Sequence, residues 1–150
     1  MKVILQKVKK ASVSVDGKIV GEIDEGYCLL VGVHKESTEA DAKYVAKKIV
    51  EARLFEDENE KLNLGLKDVN GSILSVSQFT LYADTKKGKR PSFTNAASAE
   101  EANELYNKFN EYLREEGIKV ETGIFQTMME VNIINDGPVT IIYEKLSLGN

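Results

Sequence analysis

The sequence has one cysteine, one histidine and two prolines in 150 residues. A lone cysteine closes no intrachain disulfide, and a cysteine-pair zinc site is excluded. Cys28 lies in the apolar run 26–33 and reads as a small buried hydrophobe. With His34 as the sole imidazole, a Ser-His-Asp triad could arise only by tertiary accident. At the end of an apolar run it reads instead as a satisfied strand-end side chain. Walker loops, GxGxxG and HExxH are missing. The acidic run Glu56-Asp57-Glu58-Asn59-Glu60 lacks the spaced oxygen ligands and central glycine of a calcium loop, and reads as a solvated loop. No metal and no cofactor are expected. No apolar run approaches the ~20 residues of a membrane span. The N-terminal apolar stretch is too short for a signal peptide, so a cytoplasmic location is expected. Positive charge is also scarce. Lys+Arg number 20 against 24 Asp+Glu, a net charge of −4. That balance excludes wholesale binding of nucleic acid in the histone manner, and any phosphate contact must come from a local basic patch.

The composition is otherwise that of a globular protein, 42% hydrophobic and 29% charged, with one domain over residues 1–150 as the expectation. Ala11, Val13 and Val15 alternate with Ser12 and Ser14, the period-2 pattern of a half-buried strand. Asp16-Gly17 then predicts a hairpin turn into residues 18–23. Residues 26–33 read as a central strand, apolar on both faces. Ser37 or Thr38 can cap a helix whose apolar stripe is Ala42, Val45, Ala46, Ile49 and Ala52 or Arg53. Ser98-Ala99-Glu100-Glu101 reads as a capping box for a second helix, with Ala102, Leu105, Tyr106, Phe109 and Leu113 on its apolar face and Gly117 at its end. Between the helices, residues 72–82 read as one strand. At the C-terminus, Met129, Val131 and Ile133 alternate, Asn135-Asp136-Gly137-Pro138 is expected to turn, and residues 139–143 return as a hairpin. The fold class is α+β: an antiparallel-rich sheet carrying two helices.

Three segments carry the candidate chemistry. Ser77-Gln78-Phe79-Thr80 gathers three hydrogen-bonding side chains and an aromatic ring near a strand end. It is either an ordinary strand edge or a place where N–H groups and hydroxyls converge on a carbonyl oxygen. Lys86, Lys87, Lys89 and Arg90 put four cations in five residues of an acidic protein, with Gly88 among them. They form either a solvated loop or a mobile phosphate clamp. Asn135-Asp136-Gly137-Pro138-Val139-Thr140 is either a plain tight turn or a rigid bend presenting carbonyl oxygens to an ammonium group.

Taken together, Ser77-Gln78-Phe79-Thr80-Leu81 and Asn135-Asp136-Gly137-Pro138-Val139-Thr140 resemble the paired signature of the D-aminoacyl-tRNA deacylases. The resemblance extends over essentially the whole chain, including 83–93. It implies a barrel-like core and a homodimer with a cross-subunit active site. The implied partner is aminoacylated tRNA at its acceptor end, with no DNA and no membrane. The implied reaction is hydrolysis of the ester linking a D-amino acid, or mischarged glycine, to tRNA. By the same resemblance, a cis Gly137-Pro138 reaches into the other subunit's site and holds the substrate's α-amino group. L-amino acids are then refused by steric clash.

Ser77, Gln78, Phe79 and Thr80 would form the opposite, catalytic wall. Ala102, Phe125 and Met129 would surround the terminal adenine. Charge suggests Lys86, Lys87, Lys89 and Arg90 for the acceptor-stem phosphates. Thr80 as nucleophile needs an activating base that the sequence does not offer. The favoured mechanism uses main-chain N–H groups around Phe79 and Thr80, with the ribose 2′-OH helping to activate water. A non-catalytic RNA-binding module that stacks bases on Phe93, and an esterase that ignores RNA, stand as rival readings.

Overall fold

The computed structural model describes residues 1–147. The chain runs β1 (Lys2–Val15), β2 (Lys18–Ile23), β3 (Gly26–Gly32), α1 (Glu39–Glu51), β4 (Phe55–Glu56), β5 (Leu62–Leu64), β6 (Ser72–Ser77), a 3-10 turn (Phe79–Tyr82), α2 (Ala99–Glu115), β7 (Val120–Thr122) and β8 (Glu130–Glu144). The β1–β2 hairpin turns at Asp16 and Gly17, both at positive φ, as an Asp-Gly turn of this kind requires.

β1 organises the main sheet. It pairs antiparallel with β3 through its first half, with β2 through its second half, and with β8 along almost its whole length. β3 then pairs parallel with β6, and β6 parallel with β7. β2 comes back against β7 so closely that a Cβ on Gly21 would lie 2.7 Å from the Thr122 carbonyl oxygen. The mixed sheet is therefore curled nearly into a barrel. β4 and β5 form a separate two-stranded ribbon. Its tip is the acidic run, where Asp57 accepts hydrogen bonds from the Asn59 and Lys61 N–H groups at 2.8 and 3.1 Å.

β3 is buried on both faces, as its unbroken apolar pattern predicts. Tyr27, Leu29 and Val31 join the core under the helices, with Met1, Val3 and Leu5. Cys28 joins the barrel interior with Val8, Val13, Leu74 and Val76. Burial pushes the Cys28 thiol up to about 12, so it is chemically inert. Thr38 caps α1 in a full capping box with Asp41, worth about 1 kcal/mol. Ala42, Val45, Ala46 and Ile49 are buried as expected, whereas the helix stops at Glu51, before Arg53. In α2 the Ser98 hydroxyl accepts from the Glu101 N–H, and Gly117 follows the C-cap at φ +85°.

Two sequence expectations are corrected. Residues 72–82 are not one strand. β6 ends at Ser77, and Phe79–Tyr82 wind into a single 3-10 turn. The expected C-terminal hairpin does not exist either. β8 is one continuous 15-residue strand that never reverses. Val8 pairs with Asn135 and Gln6 with Thr140, so residues 136–139 loop out beside β1 as a wide bulge. The reason is nonlocal. A β1 of 14 residues supplies pairing on both sides of Gly137-Pro138, and the two apolar alternations dock on one partner rather than on each other.

Candidate functional site

The 3-10 turn is held from several directions. The Gln78 N–H donates to the Val31 carbonyl at 2.8 Å, continuing the β3–β6 pairing by one step. Gly32 lies beneath the turn, and a Cβ there would come within 2.9 Å of the Leu81 Cβ. Tyr82 is buried, donates from its hydroxyl to Glu144 at 3.0 Å, and carries the Lys2 ammonium over its ring at 5.1 Å. Burial, then the neighbouring Glu144, pushes its phenol far above the usual range.

The turn leaves two donors free. Leu81 N–H returns to the Gln78 carbonyl and Ala83 N–H to the Thr80 carbonyl. The first N–H groups of any helical turn lack an internal acceptor. Those of Phe79 and Thr80 have no acceptor among the described residues. Had 72–82 continued as a strand, both would face a ladder or solvent singly. As a turn, they are adjacent and unpaired. The Gln78 side-chain amide donates to the Thr80 hydroxyl oxygen. No carboxylate, imidazole or amine is hydrogen-bonded to that hydroxyl among the described residues.

A cavity of about 630 Å³ opens beside the turn, at the C-terminal ends of β3 and β6. One wall is Ser77, Gln78 and Phe79, over Val31, Val33 and Val76. The facing wall includes Ala102 from α2 with Phe125, Met128, Met129 and Val131 from the approach to β8 and its start. The volume suits a nucleoside-sized ligand with an attached amino acid, and the lining is mainly apolar with Ser77 and Gln78 on one wall and Gln126 and Thr127 on the other. Six of the residues singled out from sequence thus meet here: Ser77, Gln78, Phe79, Ala102, Phe125 and Met129. Thr80 sits just outside, exposed.

Val31, Val33, Val76, Ala97 and Met128 line the cavity and escaped the sequence reading. Val31 and Val76 look like any other core valine until parallel pairing places their strand ends side by side. Met128 carries a visible signal, a methionine beside a second one after a turn, and it is 92% exposed.

Gly137 and Pro138 do not line this cavity. They lie on the β8 bulge, on the order of 20 Å along the strand from Val131. The peptide bond between them is cis, and Gly137 has φ +123°. β8 is an outer strand of the sheet, with β1 as its one partner among the described residues, and it exposes Ile134 and Ile142 at 55% and 64%. The cationic residues Lys86, Lys87, Lys89 and Arg90 are all exposed on a loop whose base is closed by paired bonds between Asp84 and Ser92, at 2.7 and 2.9 Å.

His34 stands apart from the cavity. Its Nδ1 accepts from the Glu36 N–H at 2.9 Å, and its ring meets Tyr82 edge-on at 5.0 Å. Partial burial, then the N-terminal ammonium, lowers its pKa, so it is a neutral strand-end side chain.

Comparison with known proteins gives a consistent picture. The model of the family described as D-Tyr-tRNA(Tyr) deacylase matches residues 4–144. The D-aminoacyl-tRNA deacylase of Staphylococcus haemolyticus is 62% identical over 144 residues, covering 96% of this chain and 95% of the relative. That of Exiguobacterium sibiricum is 57% identical over 145 residues, covering 97% and 100%. Among solved structures, the c-Myc DNA Unwinding Element Binding Protein superimposes with a TM-score of 0.91 at 39% identity, covering 98% of this chain and 100% of that one. A probable eukaryotic D-amino acid tRNA deacylase gives a TM-score of 0.82 at 16% identity, covering 95% and 97%, which shows the shared fold.

Proposed function

This chain belongs to the D-Tyr-tRNA(Tyr) deacylase family, and on that premise we propose that it hydrolyses the ester joining a D-amino acid to the terminal adenosine of tRNA. Water adds to the ester carbonyl, the bond to the ribose oxygen breaks, and free D-amino acid and tRNA leave. The carrying observation is a pair of adjacent N–H groups without an acceptor among the described residues, that of Phe79 in the wall of a nucleoside-sized cavity and that of Thr80 at its edge. Such donors stabilise the oxyanion that forms as water adds, each worth about 3 kcal/mol in comparable sites. The Thr80 hydroxyl already accepts from Gln78 and has no base bonded to it among the described residues, which favours main-chain catalysis over a threonine nucleophile. In this reading the ribose 2′-OH of the substrate helps to activate the water. Ala102, Phe125 and Met129 enclose the adenine. Lys86, Lys87, Lys89 and Arg90 meet acceptor-stem phosphates.

Selection against L-amino acids belongs to Gly137-Pro138. These residues are remote from their own chain's cavity, so the reading makes the enzyme a homodimer in which each bulge enters the partner's site. The exposed isoleucines of the outer strand β8 support such an interface. With the ammonium held by main-chain carbonyls and the ester held at Phe79, an L side chain strikes the Gly-Pro backbone, while hydrogen or a D side chain points away. Glycine esters are therefore also hydrolysed. The same reading takes the protein as a cytoplasmic, single-domain enzyme that acts on tRNA without a cofactor.

Release of labelled D-tyrosine and L-tyrosine from charged tRNA is the direct test. The expected result is rapid release of the D form and little of the L form. Salt-sensitive RNA binding with no ester turnover would replace this reading by an RNA-binding module. Equal turnover of a simple D-tyrosine ester would replace it by an esterase indifferent to RNA.

A further inference from the structure

The basic loop and the catalytic turn share one contact. The Phe79 ring meets the Phe93 ring edge-on, with centroids 4.9 Å apart and planes at 64°. Phe93 directly follows Ser92, which closes the base of the cationic loop with Asp84. Asp84 in turn lies just beyond the 3-10 turn that begins at Phe79. The two rings therefore stand on opposite arms of the loop 84–92, one at each root. Below Phe93 the chain is fixed: Ala96 N–H donates to the Phe93 carbonyl at 3.1 Å, and Ala97 N–H to the Val33 carbonyl at 2.9 Å. Above it the cations are exposed and Gly88, at φ +68°, has open space around it. Phe93 thus stands between the exposed loop and the anchored chain, with its ring against Phe79.

We infer that Phe93 is a positioning residue that couples the grip of the 84–92 loop on RNA phosphates to the setting of the Phe79 main chain at the ester. The inference rests on the tRNA-ester reading above and deepens it. Its chemistry is that of binding energy from a remote, non-reacting part of the substrate being used at the reacting centre. Edge-to-face aromatic pairs suit this, because their attraction depends on mutual angle as well as on contact. Phe93 itself touches no reacting atom. Its loss should spare a substrate too short to reach the loop.

The test compares D-tyrosyl-tRNA with 3′-O-D-tyrosyl-adenosine, which carries the same ester and no upstream phosphates. In the wild-type enzyme kcat should be higher on the tRNA. Phe93→Ala should lower kcat on the tRNA about tenfold, with KM changed by less than about threefold, and leave kcat on the adenosine ester within about twofold. Phe93→Tyr, which keeps the ring, should restore kcat on the tRNA. The triple variant Lys86→Ala, Lys87→Ala, Lys89→Ala should lower kcat on tRNA as well as raise KM, and adding Phe93→Ala to it should lower kcat little further. Equal loss on both substrates would mean that Phe93 merely supports the turn, and would overturn the inference. So would additive losses in the combined variant, or no loss in Phe93→Ala. Failure of the wild-type enzyme to release D-tyrosine from tRNA would instead overturn the tRNA-ester reading itself.

Discussion

Tyr106 donates its buried hydroxyl to the main-chain carbonyl of Ser75 across 2.7 Å, tying the middle of α2 to the strand that ends at Ser77. One helical turn earlier on the same face, Ala102 lines the cavity, and the Tyr106 ring lies 6.4 Å from that of Phe125. The bond thus links the helix on one side of the cavity to the strand on the other. Tyr106→Phe removes the hydroxyl's bond to the Ser75 carbonyl, in a place that already buries the Ser75 hydroxyl and the Asn110 side-chain oxygen without partners among the described residues. The expected cost is about 0.5–1.5 kcal/mol of stability, read by chemical denaturation. Deacylation should also weaken through a higher KM.

Thr80→Ala removes the hydroxyl that Gln78 bonds and keeps the N–H. Measurable deacylation should survive, lowered by about tenfold or less, since the main chain carries the oxyanion. Complete loss with normal folding and tRNA binding, or an acyl group trapped on Thr80 after rapid quenching, would restore the threonine nucleophile.

Gly137→Val should cripple turnover of the D-substrate. Any Cβ at this position would stand 3.0 Å from the Val139 Cγ2 and 3.1 Å from its nitrogen, on a backbone at φ +123° that side-chain-bearing residues rarely adopt. The bulge must shift, and with it the carbonyls assigned to the substrate ammonium. The measurement is the D to L rate ratio on tyrosyl-tRNA. Full retention of D-selectivity in this variant would contradict selection by clash with the bulge.

Asp41 makes a pH-dependent contribution to the fold. Burial alone would raise its pKa, but hydrogen bonds from the Ser147 hydroxyl and from Thr38 outweigh it and hold the carboxyl below its ordinary value. The folded chain therefore binds fewer protons here than the unfolded chain. Its stabilisation is fully present above the unfolded pKa of about 4 and is lost as pH falls through the folded pKa. Asp41→Asn should cost about 1 kcal/mol at neutral pH. Its loss of stability in acid, followed by urea midpoints, should be shallower than that of the wild type.

Much of the local structure was legible because it is locally caused. Asp16-Gly17 turns because few other pairs tolerate two positive φ values in succession. Thr38 and Asp41 fix a helix start by bonds within four residues. The stripe Ala102, Tyr106, Phe109, Leu113 shows its buried face by spacing alone. The two signature segments, far apart in the chain, carried the family and with it the reaction.

Tertiary structure decided the rest, because the deciding partners are distant in sequence. Residues 139–143 alternate as a returning hairpin would, and nothing nearby forbids it; only the length of β1, some 130 residues away, makes β8 run straight and pushes Gly137-Pro138 out as a bulge. Thr80 and Leu81 extend the strand pattern of 72–77, yet the register with Val31 ends the ladder and the chain winds over Gly32, freeing two N–H groups. Spacing shows which face of an element is buried, since that is a property of the element itself. Which strand ends open onto the same space is a property of the pairing, and no segment carries it alone.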